Sequence, residues 1–263
     1  MIENNQIENN DSQNDRLEGK NPILEALKAG RTINKLWIQK HEKKAADPTT
    51  SKIVFMAKQT GAVIVEVDKR VLDQMSLTHG HQGVIAHVAM HDYVEIEDML
   101  AIAESKNEDP FIIILDELKE SYNLGSILRI ADAANVHGVI IPKHRSVGLD
   151  ANVAKASAGA IEYVPVAKVV NIAQTIENLK KEGFWIVGAA GEGDMTYEKV
   201  DYKGKIAVVI GSEGEGIGEL IKKKCDFLVK IPMRGKVNSL NAAVAAGIII
   251  FEASRQRNGE KNG

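Results

Sequence analysis

From Phe111 onward the chain repeats one device: a short apolar run, a turn, and an amphipathic helix. The pattern predicts strands at 111–115, 139–141, 163–168, 185–189, 206–210 and 227–231. It predicts helices over 123–134, 151–157, 171–183, 218–223 and 241–257. Strands that are apolar on both faces and alternate with helices specify an α/β fold, a mostly parallel sheet with helices on both faces. In such a sheet, ligands bind beyond the carboxyl ends of the strands.

The rest of the chain divides on composition. Residues 1–18 hold five acids and one base, a net of −4, and lack periodicity, so they read as a disordered acidic tail. That leaves +1 on residues 19–263, out of a total of −3. Residues 19–90 read as a small α/β domain, with Asn21 capping its first helix and Pro22 in that helix's first turn. A linker is expected over 91–109, a second domain over 110–257 and a flexible tail over 258–263.

No apolar run reaches the roughly 18 residues of a membrane span, and the N-terminus lacks a basic-then-apolar signal pattern. Cys225 is the single cysteine, which rules out a disulfide or a cysteine zinc site within one chain and fits a reducing cytoplasm. Lys222, Lys223 and Lys224 precede it and could lower its pKa, but no motif surrounds it. No metal-ligand cluster is present.

Three segments carry candidate chemistry. Asn123-Leu124-Gly125-Ser126-Ile127-Leu128-Arg129 follows the 111–115 strand, with Asn123 as a helix N-cap. Gly211-Ser212-Glu213-Gly214-Glu215-Gly216 follows the 206–210 strand. Its glycine spacing fits neither G-x-G-x-x-G nor a P-loop, and Glu213 would repel a phosphate. Ile231-Pro232-Met233 then leads to Ser239-Leu240-Asn241, where Ser239 or Asn241 caps the last helix.

Together these segments resemble the three motifs of the SpoU/TrmH family of S-adenosylmethionine-dependent RNA ribose 2′-O-methyltransferases. Glu18-Gly19-Lys20-Asn21-Pro22 and His81-Gln82-Gly83-Val84 resemble the ribosomal-protein-like RNA-binding domain of the RlmB subgroup. The resemblance implies a deep trefoil knot in the C-terminal sheet and a homodimer formed through it. It implies S-adenosylmethionine held by loops at Ala189, Gly191, Gly211, Ile231 and Leu240. It also implies a site built from Asn123, Arg129, Glu213, Ser239 and Asn241. Because a guanidinium is a poor base, Arg129 is expected to grip a phosphate and stabilise the developing alkoxide. The chain departs from the family pattern at Leu124, where many members have Val, and at Ala242-Ala243, where many have Val-Ser.

The implied substrate is a guanosine of large-subunit rRNA. A tRNA substrate and a non-catalytic ribosome-assembly factor are the alternatives. Candidate RNA contacts are Arg31, Lys35, Lys40, Lys43, Lys44 and Lys52 in the first domain. In the second they are Lys143, His144, Arg145, Arg234 and Lys236. His79 and His81 lack metal-ligand companions and read first as structural residues.

Overall fold

The structure, a computed structural model, describes residues 16–40, 47–88, 91–236 and 239–259. It divides into two units. The first comprises the chain up to Asp92 together with Gly148–Tyr163, and the second comprises Tyr93–Val147 and the chain from Val164 onward.

The first unit is built on a mixed four-stranded sheet of β1 (Arg16–Glu18), β2 (Ile33–Gln39), β3 (Val63–Val67) and β4 (Val84–Val88), in the order β1-β4-β2-β3. Helices α1 (Lys20–Lys28) and α2 (Pro48–Gln59) bury Ile23, Ala26, Leu27, Ile53 and Ala57, and α3 (Lys69–Met75) buries Leu72. The start of α2 is fixed by the Asp47 carboxylate, which accepts from the N–H groups of Thr49 and Thr50 at 3.1 and 3.3 Å, with Pro48 at the first helical position.

Two expectations change here. Residues 16–18, read from the sequence as tail, pair with β4 as a strand, because Leu17 is buried and Glu18 has four donors to bond. The rest of the proposed tail, 1–15, lies outside the described residues, as do Lys43, Lys44 and 260–263. The first helix begins at Lys20, after Gly19 in the left-handed region at φ 93°, so Asn21 sits inside the first turn and caps nothing.

Gly148–Tyr163 supplies α6 (Ala151–Ala156) and a 3-10 turn at Ala160–Glu162 to the first unit. The sequence places this stretch with the C-terminal sheet. Instead, Glu162 receives Arg31 at 2.8 Å with both side chains nearly buried, Tyr163 donates its hydroxyl to Glu25 at 2.7 Å, and Lys155 donates to the Thr78 carbonyl at 2.9 Å. The 3-10 turn also delays the next strand, which starts at Val166 rather than 163.

The second unit holds seven parallel strands in the order β7-β6-β5-β10-β8-β11-β9. They are β5 (Phe111–Leu115), β6 (Gly138–Pro142), β7 (Val166–Val169), β8 (Trp185–Ala189), β9 (Met195–Thr196), β10 (Ile206–Ile210) and β11 (Phe227–Lys230). Its helices are α4 (Ile96–Ser105), α5 (Ser121–Ala133), α7 (Ile172–Lys181), α8 (Glu219–Lys222) and α9 (Ala242–Asn258). Ile112, Ile114, Ala207 and Val209 pack with Met99 of α4 and Ile176 of α7. The alternate strand residues face the other side, where α9 packs on α5 and β10. Among the described residues, no helix is long and apolar enough to cross a membrane.

Glu18 is the buried polar anchor of the first unit. Its carboxylate accepts from Ser76 Oγ at 2.7 Å, from the N–H groups of Leu77 and Thr78 at 2.6 and 3.0 Å, and from the Thr78 hydroxyl. Burial pushes its pKa up, but the bonds from Thr78, Leu77 and Ser76 outweigh that and hold it below the usual carboxylate value. A depressed folded pKa gives stability that is present above the unfolded value of about 4.3 and lost as pH falls through the folded one. Glu18→Ala leaves these donors without an acceptor and is expected to cost about 2–4 kcal/mol in urea unfolding at neutral pH. The deficit relative to wild type should shrink on acidification below about pH 4. A deficit that is independent of pH would show that the carboxylate charge contributes nothing.

Candidate active site

β10, β8 and β11 are neighbours in the sheet, so the loops leaving their carboxyl ends meet although they lie far apart in sequence. They enclose a cavity of about 690 Å3. Ala189 lines it from the end of β8 and Gly191 from the loop that follows, Gly211 and Glu213 from the loop after β10, and Ile231 from just beyond β11. Ser239 and Leu240, just before α9, complete the wall. Ile210, Ile217, Val229, Ala245 and Ile249 give it an apolar floor.

The loop after β10 is folded back on itself. Ser212 and Gly216 exchange backbone hydrogen bonds of 3.2 and 3.0 Å. A Cβ on Gly211 would fall into the Gly216 carbonyl, whereas Gly214, at φ 86°, has open space around it.

This fold aims Glu213 at two other segments. Its Oε1 accepts from Asn123 Nδ2 at 3.0 Å, from the Ala242 N–H at 3.3 Å, and from Asn241 Nδ2. Asn241 Nδ2 also donates to Asn123 Oδ1 at 2.9 Å, while Asn241 Oδ1 caps α9 by accepting from the N–H groups of Ala243 and Val244 at 3.0 and 3.2 Å. Three of the five residues singled out as catalytic thus form one network, and a fourth, Ser239, lines the cavity beside it.

Asn123 reaches this network because it is not an N-cap. Helix α5 starts two residues earlier, at Ser121, with Glu120 before it and no side-chain cap. The Asn123 amide is therefore free of its own helix. Arg129 stands apart. Six residues further along α5, it is turned about 120° away from Asn123, is exposed and does not line the cavity. Among the described residues it has no hydrogen-bonding partner.

Two contributions were not visible in the sequence reading. Asp116, at the end of β5, accepts from the Gly218 N–H at 2.9 Å and so anchors the far end of the Gly211–Gly218 loop; burial raises its pKa. Lys222 of α8 pairs with Glu192 in the loop after β8 and with Glu219 at 2.9 Å. Asp116 directly follows a wholly buried strand, and that position was the one available signal for it.

The rim carries Glu192, Glu213 and Glu215 against Lys222 and Lys230, a balance that suits a cationic ligand better than a phosphate. Other candidates prove structural. His81 Nε2 donates to Asp73 at 2.9 Å and its Nδ1 accepts from the Gly83 N–H at 2.9 Å. Arg31 is engaged by Glu162. The Cys225 thiol is pushed up to about 12 by burial, which overrides the lowering effect of Lys180. Among the described residues, no group of His, Cys, Asp or Glu is placed to hold a metal ion.

The loop geometry sets an order of sensitivity. Gly211→Ala forces the folded loop open and is expected to cost about 3 kcal/mol, with loss of ligand binding. Gly214→Ala meets nothing and carries only its left-handed strain, about 1 kcal/mol. Thermal unfolding of the two variants checks this, and equal costs would refute the close approach at Gly211.

Comparison with known proteins bears on the fold and the family. A family model described as the SpoU rRNA Methylase family matches residues 110–251, and a model described as RNA 2′-O ribose methyltransferase substrate binding matches 16–94. YacO of Bacillus subtilis (strain 168), assigned to the TrmH family of tRNA/rRNA methyltransferases, is 49% identical over 246 residues, covering 94% of this chain and 97% of its own. The SpoU methyltransferase AviRb from Streptomyces viridochromogenes, solved in complex with AdoMet, shares the fold. Its TM-score is 0.77 at 24% identity, covering 92% of this chain and 89% of that one. An AdoMet-bound rRNA methyltransferase from Sinorhizobium meliloti shares it too, with a TM-score of 0.76 at 24% identity over 94% and 88% of the two chains. The match over 110–251 and the 49% identity to a full-length relative show that this chain belongs to the SpoU/TrmH family of RNA 2′-O-methyltransferases.

Proposed function

We propose that this chain transfers the methyl group of S-adenosylmethionine to the 2′-hydroxyl of a guanosine in large-subunit rRNA, in the manner of the RlmB subgroup. One observation carries the reading. All five positions expected to hold the cofactor line a single cavity, and the Asn123–Glu213–Asn241 network stands at its edge. The cavity volume lies within the roughly 300–1,000 Å3 of small-molecule sites. Its apolar floor suits an adenosine, and its acidic rim suits a sulfonium.

The bound cofactor supplies an electrophilic methyl carbon next to a positively charged sulfur. The chain's own residues must deliver the hydroxyl and manage its proton. Glu213 Oε1 is occupied by three donors, while Oε2 has no partner among the described residues and is the acceptor left for the ribose hydroxyl. Asn123 and Asn241 hold that carboxylate in one orientation, which is positioning of the kind that lowers a barrier without taking part in bond making. Ser239 lies beside the cavity to contact the nucleotide.

Arg129 enters this scheme through a homodimer. Facing away from its own cavity, its guanidinium stabilises the developing alkoxide in a second copy. Val244 and Phe251, seven residues apart on one face of α9 and each half exposed, offer an apolar surface for that association. The knot belongs to the same reading.

Residues 16–94 match a model described as RNA 2′-O ribose methyltransferase substrate binding, and the presence of such a unit is our ground for preferring rRNA to tRNA. Label from S-adenosylmethionine is expected in unmodified large-subunit rRNA and not in tRNA, at one nucleotide that resists alkaline cleavage. Label in tRNA alone would keep the chemistry and overturn the substrate, and a base-methylated product would overturn the ribose assignment. For the dimer, Asn123→Ala and Arg129→Ala are each expected to be inactive, and mixing them after co-refolding is expected to restore activity. A mixture as inactive as its components would place both residues in one chain's site.

A further inference from the structure

The acidic rim raises a difficulty for an RNA substrate. Every ribose is flanked by phosphates, and on the cavity rim Glu192, Glu213 and Glu215 outnumber Lys222 and Lys230. Cationic groups beside the rim are needed to bring a strand close.

The segment 116–120 after β5 is tied on both sides. Asp116 accepts from Gly218, at the end of the cavity loop, and the Leu118 carbonyl accepts from the Val147 N–H at 3.0 Å, in the loop after β6. Across that second contact Arg145 donates to Glu117 at 2.9 Å. Both residues are left-handed without being glycine, Glu117 at φ 53° and Arg145 at φ 59°. The Arg145 side chain is 75% exposed, so this is an ion pair in solvent. Such a pair returns less than two left-handed non-glycine residues cost. The fold gains nothing evident from the arrangement, and what it achieves is the placement of one guanidinium. Glu215, on the cavity rim, is close enough to act on Arg145 electrostatically. Lys119, Lys143 and His144 are exposed in the same two loops.

We propose that the paired loops after β5 and β6 form a phosphate clamp for the RNA strand whose ribose enters the cavity, with Arg145 as its main contact. The proposal rests on the reading of this chain as an RNA ribose methyltransferase. The planar guanidinium fork matches a phosphate bidentately. Glu117 holds it in position until a phosphate displaces the carboxylate.

The test uses the full chain, large-subunit rRNA transcript and S-adenosylmethionine. Arg145→Ala is expected to raise KM for RNA by about tenfold and to reduce the slope of log affinity against log salt by about one, with cofactor Kd unchanged. Arg145→Gly relieves the backbone strain, so it should unfold at a higher temperature than Arg145→Ala and still lose the same RNA affinity. RNA affinity and salt slope unchanged in Arg145→Ala would overturn the clamp, as would a parallel loss of cofactor affinity. If wild type binds RNA with an Arg145-dependent salt slope yet transfers no methyl, the clamp stands and the catalytic reading fails.

Discussion

One carboxylate oxygen, Glu213 Oε1, holds the candidate site together. Its three donors come from α5, from the residue capping α9, and from the first residue of α9 itself. A carboxylate that accepts several hydrogen bonds is oriented as well as stabilised, and charge-assisted bonds are the stronger kind. The same oxygen therefore closes the loop after β10 against two helices that have no sequence connection to it. The Asn123–Asn241 bond makes the arrangement triangular, so no member can rotate without breaking a bond to another.

That triangle depends on the sheet beneath it. In parallel strands every carboxyl end points the same way, so each strand contributes its following loop to one edge. The placement of β10 between β5 and β8 brings the β5 and β10 loops side by side, where Asp116 meets Gly218. The strands β5, β6 and β10 are buried along their whole length. Their loops therefore leave from a fully packed platform.

Much of this was legible in the amino-acid order. Apolar runs such as Trp185–Ala189 and Ile206–Ile210 are strands at the expected residues, because a short run that is apolar on both faces fits little else in a chain of this kind. The three polar motifs follow strands, as expected, and Asn241 caps the final helix. What the order hid was geometry set by non-local contacts. Asn123 looked like an N-cap because Asn favours that position locally, yet helix α5 extends two residues further and frees the side chain for Glu213. Arg129, by contrast, shares a motif with Asn123 but not a helix face, and the six-residue spacing alone already turns the two about 120° apart. Asp116 has one local cue, its place after a strand, and its partner Gly218 lies about a hundred residues away.

Gly148–Tyr163 shows the same limit at a larger scale. Strand–helix alternation gives the order of elements but not the sheet that each helix covers. The stretch leaves the second unit after β6 and returns to it before β7, yet its buried side chains serve the first. It supplies Glu162, whose carboxylate pairs with Arg31 while both side chains are nearly buried, and losing one partner of such a pair is costly. Gly159 explains why the return is so tight. It is left-handed at φ 98°, and a Cβ there would collide with the Glu25 side chain of α1. The first unit is therefore complete only when the chain between β6 and β7 has been made, and its stability is bound covalently to two adjacent strands of the sheet that carries the chemistry.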